Sequence, residues 1–386
     1  MESSTNTVVF ADGSLYAHLQ NIEDIRKKRG IRYGVACVLF FIVLAKLCGQ
    51  NNPFAIADWI QNRHTLLCKA LSLQYPRMPH HSTYRRFLAL FGIKLEEELS
   101  EFLQNMAAIM SYQVVCFDGK TLCGTITPED PFGLHLLTAY LPELGIAIKQ
   151  LPVEKVKENE IVVAPKLLAG LDLQGKVVVG DAMQTQRNLS KQIVDDHAGD
   201  YVWIAKDNQK RIRQSVEQLF IPETPKPGMG CPPMDFRSET TLDKNHGRLE
   251  ERTITTSSML KDYLDWPGLS QVFKIDRRFT YIRTGKVHQE THYGITSLDA
   301  TLASPKKLLD VLRFEWGIEN SLHYRRDVTF QEDKTRMENK LAARCMAMIH
   351  NLVIAILNKL GFSNHAQARR AFDANPSQAI NLLLGL

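Results

Sequence analysis

The chain has 386 residues, of which 44% are hydrophobic and 23% charged, as in a soluble globular protein of two or three domains. Its formal net charge of +5 says little, but residues 1–94 hold twelve lysines and arginines against five aspartates and glutamates. A basic N-terminal third suits contact with phosphate backbones, and a solvated basic face explains the same count equally well. Seven cysteines, never spaced as Cys-x-x-Cys, argue against a disulfide scaffold and a structural zinc site, and suit a reducing cytoplasm.

The first hundred residues predict a helical region. No basic stretch followed by an apolar core opens the sequence, so no signal peptide is expected. Apolar positions recur at helical spacing in Tyr33–Leu47, Phe54–Leu71 and Thr83–Phe91. The most apolar run, Val35–Leu47, is too short to span a bilayer and contains a lysine, which indicates a buried core helix and no membrane association.

At residue 112 the pattern changes to short apolar runs typical of buried strands. The predicted elements are strands at Val114–Phe117, Leu134–Leu141 and Ile146–Leu151, a helix at Glu160–Gly170, a strand at Lys176–Gly180, a helix at Gln186–His197 and a strand at Tyr201–Ala205. Three successive strands followed by alternating strands and helices is the order of a ribonuclease-H-like core. Alternation by itself fits many α/β folds.

The rest of the chain predicts a linker, a strand-rich segment and further helices. The Pro/Gly-rich stretch Pro222–Pro233 reads as a linker, and helical pattern returns at Pro305. Between them, strands are predicted at Arg252–Thr256, Val272–Ile275, Phe279–Arg283 and Thr291–Thr296. The expected fold class is α/β, a ribonuclease-H-like core with a β-rich insertion and an N-terminal all-helical domain. The expected boundaries are 1–108 for the helical domain, 109–235 for the first part of the core, 236–297 for the insertion and 298–386 for the last core helix and C-terminal helices.

Two aspartates stand at the ends of predicted strands. Asp118 follows Val114–Phe117, and Asp181 follows the strand at Lys176–Gly180. Sites in open α/β sheets form at such strand ends, whereas a lone Asp-Gly turn or a helix N-cap would explain either aspartate separately. Paired at matched strand ends, they suit hydrolysis or transfer of phosphodiesters, in which two divalent metals held by carboxylates activate the attacking oxygen and stabilise the leaving oxygen.

A third acid is expected from the helical segment after Pro305. Steps of four, four and three place Glu315, Glu319, His323 and Arg326 on one face of an α-helix, and exposed ion-pair partners would give the same stripe. Glu319 is the preferred third acid. Glu332 remains the alternative, in a segment where the helix is expected to end, with its neighbour Asp333 as a possible cap of the next helix.

These residues bring a known family into view. The chain resembles the DDE transposases of bacterial insertion sequences, in the branch that includes the H-repeat-associated proteins. The matching segments follow in family order: Asp118-Gly-Lys-Thr-Leu, Lys157-Glu-Asn-Glu160-Ile, Gly180-Asp181-Ala-Met-Gln-Thr-Gln186, Asp200-Tyr-Val-Trp-Ile-Ala-Lys206-Asp-Asn208-Gln209, His246-Gly-Arg-Leu-Glu250-Glu-Arg252, Trp316-Gly-Ile-Glu319-Asn-Ser-Leu-His323 and Asp327-Val-Thr-Phe-Gln-Glu332-Asp333. One segment alone is a weak signal, and seven in order are a strong one.

The resemblance implies a triad of Asp118, Asp181 and Glu319 that binds two Mg²⁺ ions, for which Mn²⁺ can substitute. It also implies a transposase that binds the inverted-repeat ends of its element, cuts and joins DNA strands, works as a homodimer on double-stranded element ends and target DNA, and resides in the bacterial cytoplasm at the nucleoid. The chain departs from the family at Cys123, Glu315 and Tyr324–Arg326, with the triad positions intact.

The DNA-binding candidates are Arg85 and Arg86 in the helical region and, in or beside these segments, Lys120, Lys206, Asn208, Gln209, His246, Arg248, Arg252, His323 and Arg326. The two neighbouring arginines open a predicted helix that could be presented to DNA, although helices with surface arginines occur in any fold. The Lys206–Gln209 segment could hold a phosphate, or form an ordinary polar turn. Two other functions stay open: a cellular nuclease with the same core, and a DNA-binding protein descended from a transposase.

Overall fold

The computed structural model describes residues 8–29, 31–154, 159–221, 234–245 and 247–386. Contacts divide the chain into two compact units. The helical unit comprises Met1–Tyr112, Gly119–Glu158 and Glu319–Leu386, and the sheet unit comprises Gln113–Asp118 and Asn159–Ile318. Segment 236–297 therefore lies in the same unit as the strands expected at Lys176–Gly180 and Tyr201–Ala205. The linker expected at Pro222–Pro233 lies outside the described residues.

The helices are α1 (Leu15–Gln20), α2 (Val35–Leu47), α3 (Pro53–Asn62), α4 (His64–Ala70), α5 (His81–Ala108), α6 (Glu160–Leu168), α7 (Arg187–Lys191), α8 (Lys210–Leu219), α9 (Pro305–Gly317), α10 (Lys340–Lys359), α11 (His365–Ala374) and α12 (Pro376–Leu384). The strands are β1 (Val114–Leu122), β2 (Leu134–Leu141), β3 (Ile146–Val153), β4 (Val177–Val179), β5 (Asp200–Ala205), β6 (Arg237–Asn245), β7 (Arg248–Ser257), β8 (Gln271–Tyr281) and β9 (Val287–Thr296). Short π-helical turns span Gln192–Asp196, Ile318–His323 and Arg325–Thr329.

The N-terminal helices confirm the helical prediction, with altered bounds. All thirteen residues of α2 are buried, as expected for a core helix. The single helix expected over Phe54–Leu71 is interrupted at Arg63, which lies between α3 and α4. Helix α5 runs 17 residues beyond the expected end at Phe91, because buried Leu95, Leu99 and Leu103 continue its apolar face through a strongly charged stretch.

Helix α10 is the central helix of the helical unit. It is 20 residues long and, by length and composition alone, apolar enough to cross a membrane, but 83% of that stretch is buried inside the protein. It packs against α5 and β3, as a core helix of a soluble protein does. The prediction that Asp333 caps this helix was wrong. Asn339 caps α10 by accepting a hydrogen bond from the Ala342 amide at 2.9 Å.

Within the described residues, nine strands form one sheet in the order β3-β2-β1-β4-β5-β9-β8-β7-β6. Strand β1 pairs in parallel with β4, and β4 in parallel with β5, whereas β5 pairs antiparallel with β9. Strands β9, β8, β7 and β6 continue as an antiparallel meander, and β2 and β3 pair antiparallel at the other end of the sheet. The core of the sheet unit includes Leu308, Leu309 and Leu312 of α9 together with Val177 and Val179 of β4, each burial contributing about 1.5–3 kcal/mol.

The meander contains four strands, as expected, but two assignments were wrong. The runs expected at Val272–Ile275 and Phe279–Arg283 are one strand, β8, whose centre is the charged pair Arg277–Arg278. Strand β6 was missed because its sequence, Arg-Ser-Glu-Thr-Thr-Leu-Asp-Lys-Asn, lacks an apolar face and the strand lies at the edge of the sheet.

Candidate active site

Asp118 lies within β1, and Asp181 follows the neighbouring parallel strand β4. The strand end expected at Phe117 was wrong, because β1 continues to Leu122. Cys116 of β1 is the register partner of Val179 of β4, and each aspartate lies two residues beyond its strand's paired residue. The carboxyl ends of parallel strands open at the same edge of a sheet, where α/β sites form. Strand geometry therefore brings the two aspartates expected from the sequence to one edge of the sheet unit.

Asp181 is held in a tight turn. Its carboxylate accepts a hydrogen bond from the Gln184 amide at 3.3 Å and caps the 3₁₀ turn Ala182–Gln184, so the cap suggested by the sequence is present in a residue that also stands at the strand end. Its side chain is exposed, yet desolvation by surrounding protein atoms, and next the charge of Glu160, raise its pKa.

Asn208 and Gln209 hold the same turn from β5's side. The Asn208 amide donates to the Ala182 carbonyl at 2.6 Å, and the Gln209 amide donates to the Thr185 carbonyl at 2.9 Å. The Lys206–Gln209 segment therefore forms a polar turn between strand and helix, and its side chains hold the loop that contains Asp181 in place. Lys206 is exposed and forms no ion pair among the described residues, and its charge opposes the raised pKa values of Asp181 and Glu315.

Glu315 of α9 lies within electrostatic range of Asp181 and Asp118, and these three residues form an acidic group in the sheet unit. Burial raises its pKa to about 8, assisted by the charge of Asp181 and, further down, that of Asp118. The sequence pointed to Glu315 only as a member of a polar helix face, so its proximity to both aspartates was missed. The available signal was its position one helical turn before Glu319 in the matching segment.

Glu319 lies in the helical unit, in the π-helical turn Ile318–His323, and its side chain is exposed. The expected single face of Glu315, Glu319, His323 and Arg326 was wrong, because α-helical spacing ends at Gly317. Instead His323 is buried, with its pKa lowered to about 3 by desolvation and then by the charge of Arg326. Arg326 itself is fully buried.

Glu332 belongs to a buried ion pair. Its carboxylate accepts hydrogen bonds from Nε of Arg326 at 2.8 Å and from Nδ1 of His350 at 2.7 Å. Nearby Arg326 and His350 hold the pKa of Glu332 far below its ordinary value despite its burial. Burial and the charge of Lys46 lower the pKa of His350 to about 3, so the imidazole is neutral and donates its hydrogen. This arrangement places Arg326 and Glu332 in the core and away from solvent.

The remaining DNA-binding candidates differ in their availability. Lys120 pairs with Asp327 at 2.7 Å and is 10% exposed. Arg252 pairs with Glu250 at 2.7 Å and Asp243 at 3.1 Å. Both cations are already neutralised within the protein.

Arg248 packs over the Phe279 ring and is half-exposed. Arg85 and Arg86 are exposed on the first turns of α5. His246 lies outside the described residues.

A basic cavity occurs beside α5 in the helical unit. It has a volume of about 540 Å³. Its cationic lining residues are Arg26, Lys27, Arg29, Arg32 and Arg86. Of these five, Arg26 is paired with Asp24 at 2.6 Å, so most of the positive charge is available to an outside anion.

The acidic group has the donor chemistry of a divalent cation site. Carboxylate oxygens are the ligands that Mg²⁺ prefers, and a cation would offset the burial and the neighbouring negative charges that raise the pKa of Asp181 and Glu315. Across the described ranges, no three His, Cys, Asp or Glu side chains are gathered closely enough to hold a metal ion. The residues fit the ion by type and charge.

Comparison with known proteins assigns the family. The family model described as "Transposase DDE domain" matches residues 110–356, and the one described as "DDE_Tnp_1-associated" matches residues 16–104. The chain is 27% identical over 351 residues to YbfL of Escherichia coli K12, covering 89% of this chain and 90% of YbfL. It is 26% identical over 351 residues to YhhI of the same strain, whose name describes an H-repeat-associated transposase, covering 89% and 90%. It is 27% identical over 352 residues to YncI of Escherichia coli O157:H7, whose name describes a transposase, covering 89% and 87%.

The matched family model covers well over half of the chain, including Asp118, Asp181 and Glu319. The associated helical region precedes it, as the sequence led us to expect. The chain therefore belongs to the DDE transposases, in the branch that includes the H-repeat-associated proteins, and is a DDE-type transposase enzyme.

Proposed function

We propose that this transposase binds the inverted-repeat ends of its insertion sequence and catalyses metal-dependent strand cleavage and strand transfer. The observation that carries the proposal is the placement of Asp118 and Asp181 after register-matched residues of β1 and β4. Two carboxylates on fixed backbone are what a site for phosphodiester chemistry requires. DNA is the partner that membership of this family implies.

The core of the proposed enzyme is ribonuclease-H-like. The strand order β3-β2-β1-β4-β5 supports this, with β2 and β3 an antiparallel pair and with β1, β4 and β5 parallel to one another. The meander β6 to β9 takes the place of the expected insertion before the last acid. In this assignment the third catalytic carboxylate is Glu319, at a π-helical turn of the kind that often marks functional positions.

The residues have distinct proposed roles. Asp118, Asp181 and Glu319 would hold two Mg²⁺ ions, which supply activation of the attacking oxygen and stabilisation of the leaving oxygen. Asn208 and Gln209 keep the Asp181 loop in place through the carbonyls they contact. Lys206 contributes positive charge for the phosphate that reacts.

The helical unit is the proposed grip on DNA. Its basic cavity, with Arg85 and Arg86 beside it, offers exposed cations suited to a phosphate backbone. Because a transposase must bring two element ends together, we expect a homodimer on DNA, acting in the bacterial cytoplasm. Double-stranded element ends and target DNA are the substrates.

The test uses DNA that carries both flanks of the gene. With Mg²⁺ or Mn²⁺ we expect cleavage at the element ends and joining to target DNA, and no reaction with excess chelator. Asp118→Asn should bind the same DNA without cutting it, whereas Asp262→Asn, at an exposed position of the sheet unit, should cut normally. Robust cleavage in chelator would contradict the mechanism, and cleavage without joining would identify a nuclease.

A second measurement does not depend on activity. A metal that binds only the folded protein stabilises it by about 2.7 kcal/mol at a hundred times its Kd. Mg²⁺ should therefore raise the thermal midpoint of the wild type and of Asp262→Asn, and have a smaller effect on Asp118→Asn or Asp181→Asn. Equal shifts in all four proteins would place metal binding elsewhere.

A further inference from the structure

A polar groove in the helical unit is not used by the chemistry described above. Its volume is about 750 Å³, within the range of about 300–1,000 Å³ that ligand sites occupy. Three segments form its walls: Asn51–Phe54 at the start of α3, the first turns of α5, and residues 331–342 before and into α10. The groove is therefore large enough for a nucleotide unit and its flanking phosphates.

The groove is strongly basic. Four cationic side chains line it, and all are exposed: Arg85, Arg86, Lys334 and Arg336. Glu338 is the one acidic residue among its lining residues. Within the part of the chain that the structure covers, none of the four cations forms an ion pair with a carboxylate. Unneutralised positive charge on two facing walls suits a polyanion that passes between them.

The groove also carries an exposed aromatic platform. Phe54, which lines the groove, is 55% exposed. Its ring stacks on His81 with centroids 3.9 Å apart at 30°, and His81 in turn lies 3.9 Å from His80. One face of the phenyl ring is thus supported from behind by imidazole rings. A supported flat ring beside phosphate-binding cations is the arrangement by which proteins stack bases of single-stranded nucleic acid.

We propose that this groove binds an unpaired nucleotide of the DNA substrate, with its base stacked on Phe54 and its flanking phosphates held by Arg85, Arg86, Lys334 and Arg336. The inference rests on the proposed function, because it takes DNA as the substrate. Paired bases hide their faces inside the duplex, so an aromatic platform adds affinity only where a base has left the stack. The groove would select frayed or single-stranded ends over blunt duplex.

The test compares two fluorescent probes whose sequence is unrelated to the element's ends. One is a blunt hairpin duplex, and the other is the same duplex with a short single-stranded thymidine overhang. Fluorescence anisotropy with the full chain gives the affinity for each. We expect the wild type to prefer the overhang. Phe54→Ala should weaken overhang binding about five- to a hundredfold, the range for loss of one base stack, and leave blunt binding unchanged. Phe54→Trp should restore the preference.

Matched variants separate the possible outcomes. Phe132→Ala removes another exposed phenylalanine of the helical unit, 56% exposed, and should change neither affinity. The double variant Arg85→Ala, Arg86→Ala should weaken the binding of both probes and reduce the salt dependence of that binding. If Phe54→Ala leaves the preference intact while the arginine variant weakens both probes, the groove binds backbone alone and the inference is overturned. If the wild type binds the element's ends but neither probe, the inference fails and the proposed function stands; if it binds no DNA at all, both fail.

Discussion

Replacing Glu332 with glutamine should destabilise the protein strongly, although the side chain loses only its charge. The carboxylate is 8% exposed and accepts hydrogen bonds from Arg326 and His350 at 2.8 and 2.7 Å. Without it, the guanidinium of Arg326 remains fully buried with no carboxylate against it. Breaking a buried pair from one side costs about 3–5 kcal/mol, a large share of a typical stability of about 5–15 kcal/mol.

The measurement is urea unfolding followed by circular dichroism, with Glu319→Gln as the matched control. Glu319 is exposed, so its substitution should change the free energy of unfolding by less than about 0.5 kcal/mol. Replacing both partners, Arg326→Met with Glu332→Leu, should recover most of the loss, because no buried charge is left alone.

The opposite pattern would refute this reasoning. If Glu332→Gln unfolds at nearly the wild-type urea concentration yet no longer cuts DNA, Glu332 acts in the chemistry. The alternative third acid considered from the sequence would then be correct. A fall in stability with residual cleavage of the folded fraction would keep Glu332 in its structural role.

Three further predictions follow from the site and the core. Glu319→Gln should lower strand cleavage by several orders of magnitude without changing the urea midpoint; near-normal cleavage would remove Glu319 from the triad. The urea midpoint should fall as pH drops from 7 to 5, because the folded pKa values of His323 and His350, about 3, and of His365, about 4, lie below the ordinary value of 6.5. At pH 5, protonation of the unfolded state then lowers the stability by about 2 kcal/mol per histidine, and His350→Gln should reduce the dependence; a midpoint independent of pH would show that folding leaves the pKa values of these histidines unshifted. Asn208→Ala should remove the hydrogen bond to the Ala182 carbonyl, lower the stability by about 1 kcal/mol and slow cleavage about a hundredfold, because Asp181 would be held less rigidly. Unchanged cleavage would show that the Asp181 loop keeps its conformation without Asn208.

Sequence reasoning placed both aspartates on neighbouring parallel strands but misjudged one strand end. Asp181 follows β4 as expected, whereas Asp118 lies inside β1, which continues to Leu122 through polar residues that carry no apolar strand pattern. The helical face was not predictable in the same way. Its spacing assumed α-helical geometry, whereas the π-helical turns after Gly317 change which residues face the core.

Burial of charged residues was the other source of error. Arg326 was expected on a polar helix face as a DNA-binding candidate, and Glu332 was the alternative third acid, because charged side chains are rarely buried. Only the tertiary partners reveal the buried pair. For the same reason Lys120 read as a free cation, although Asp327, 207 residues later, neutralises it. Local sequence carries no information about partners so distant along the chain.

The helical unit is assembled from three stretches of sequence, and α10 at its centre comes from the last of them. During synthesis on the ribosome, α2 and α5 are therefore made long before the helix that buries them. Their apolar faces stay exposed until more than two hundred further residues have been added, and exposed apolar surface favours aggregation and chaperone binding. Expression of this transposase should consequently depend on chaperone supply, and shortened copies that lack residues 319–386 should yield insoluble protein instead of an inhibitory fragment.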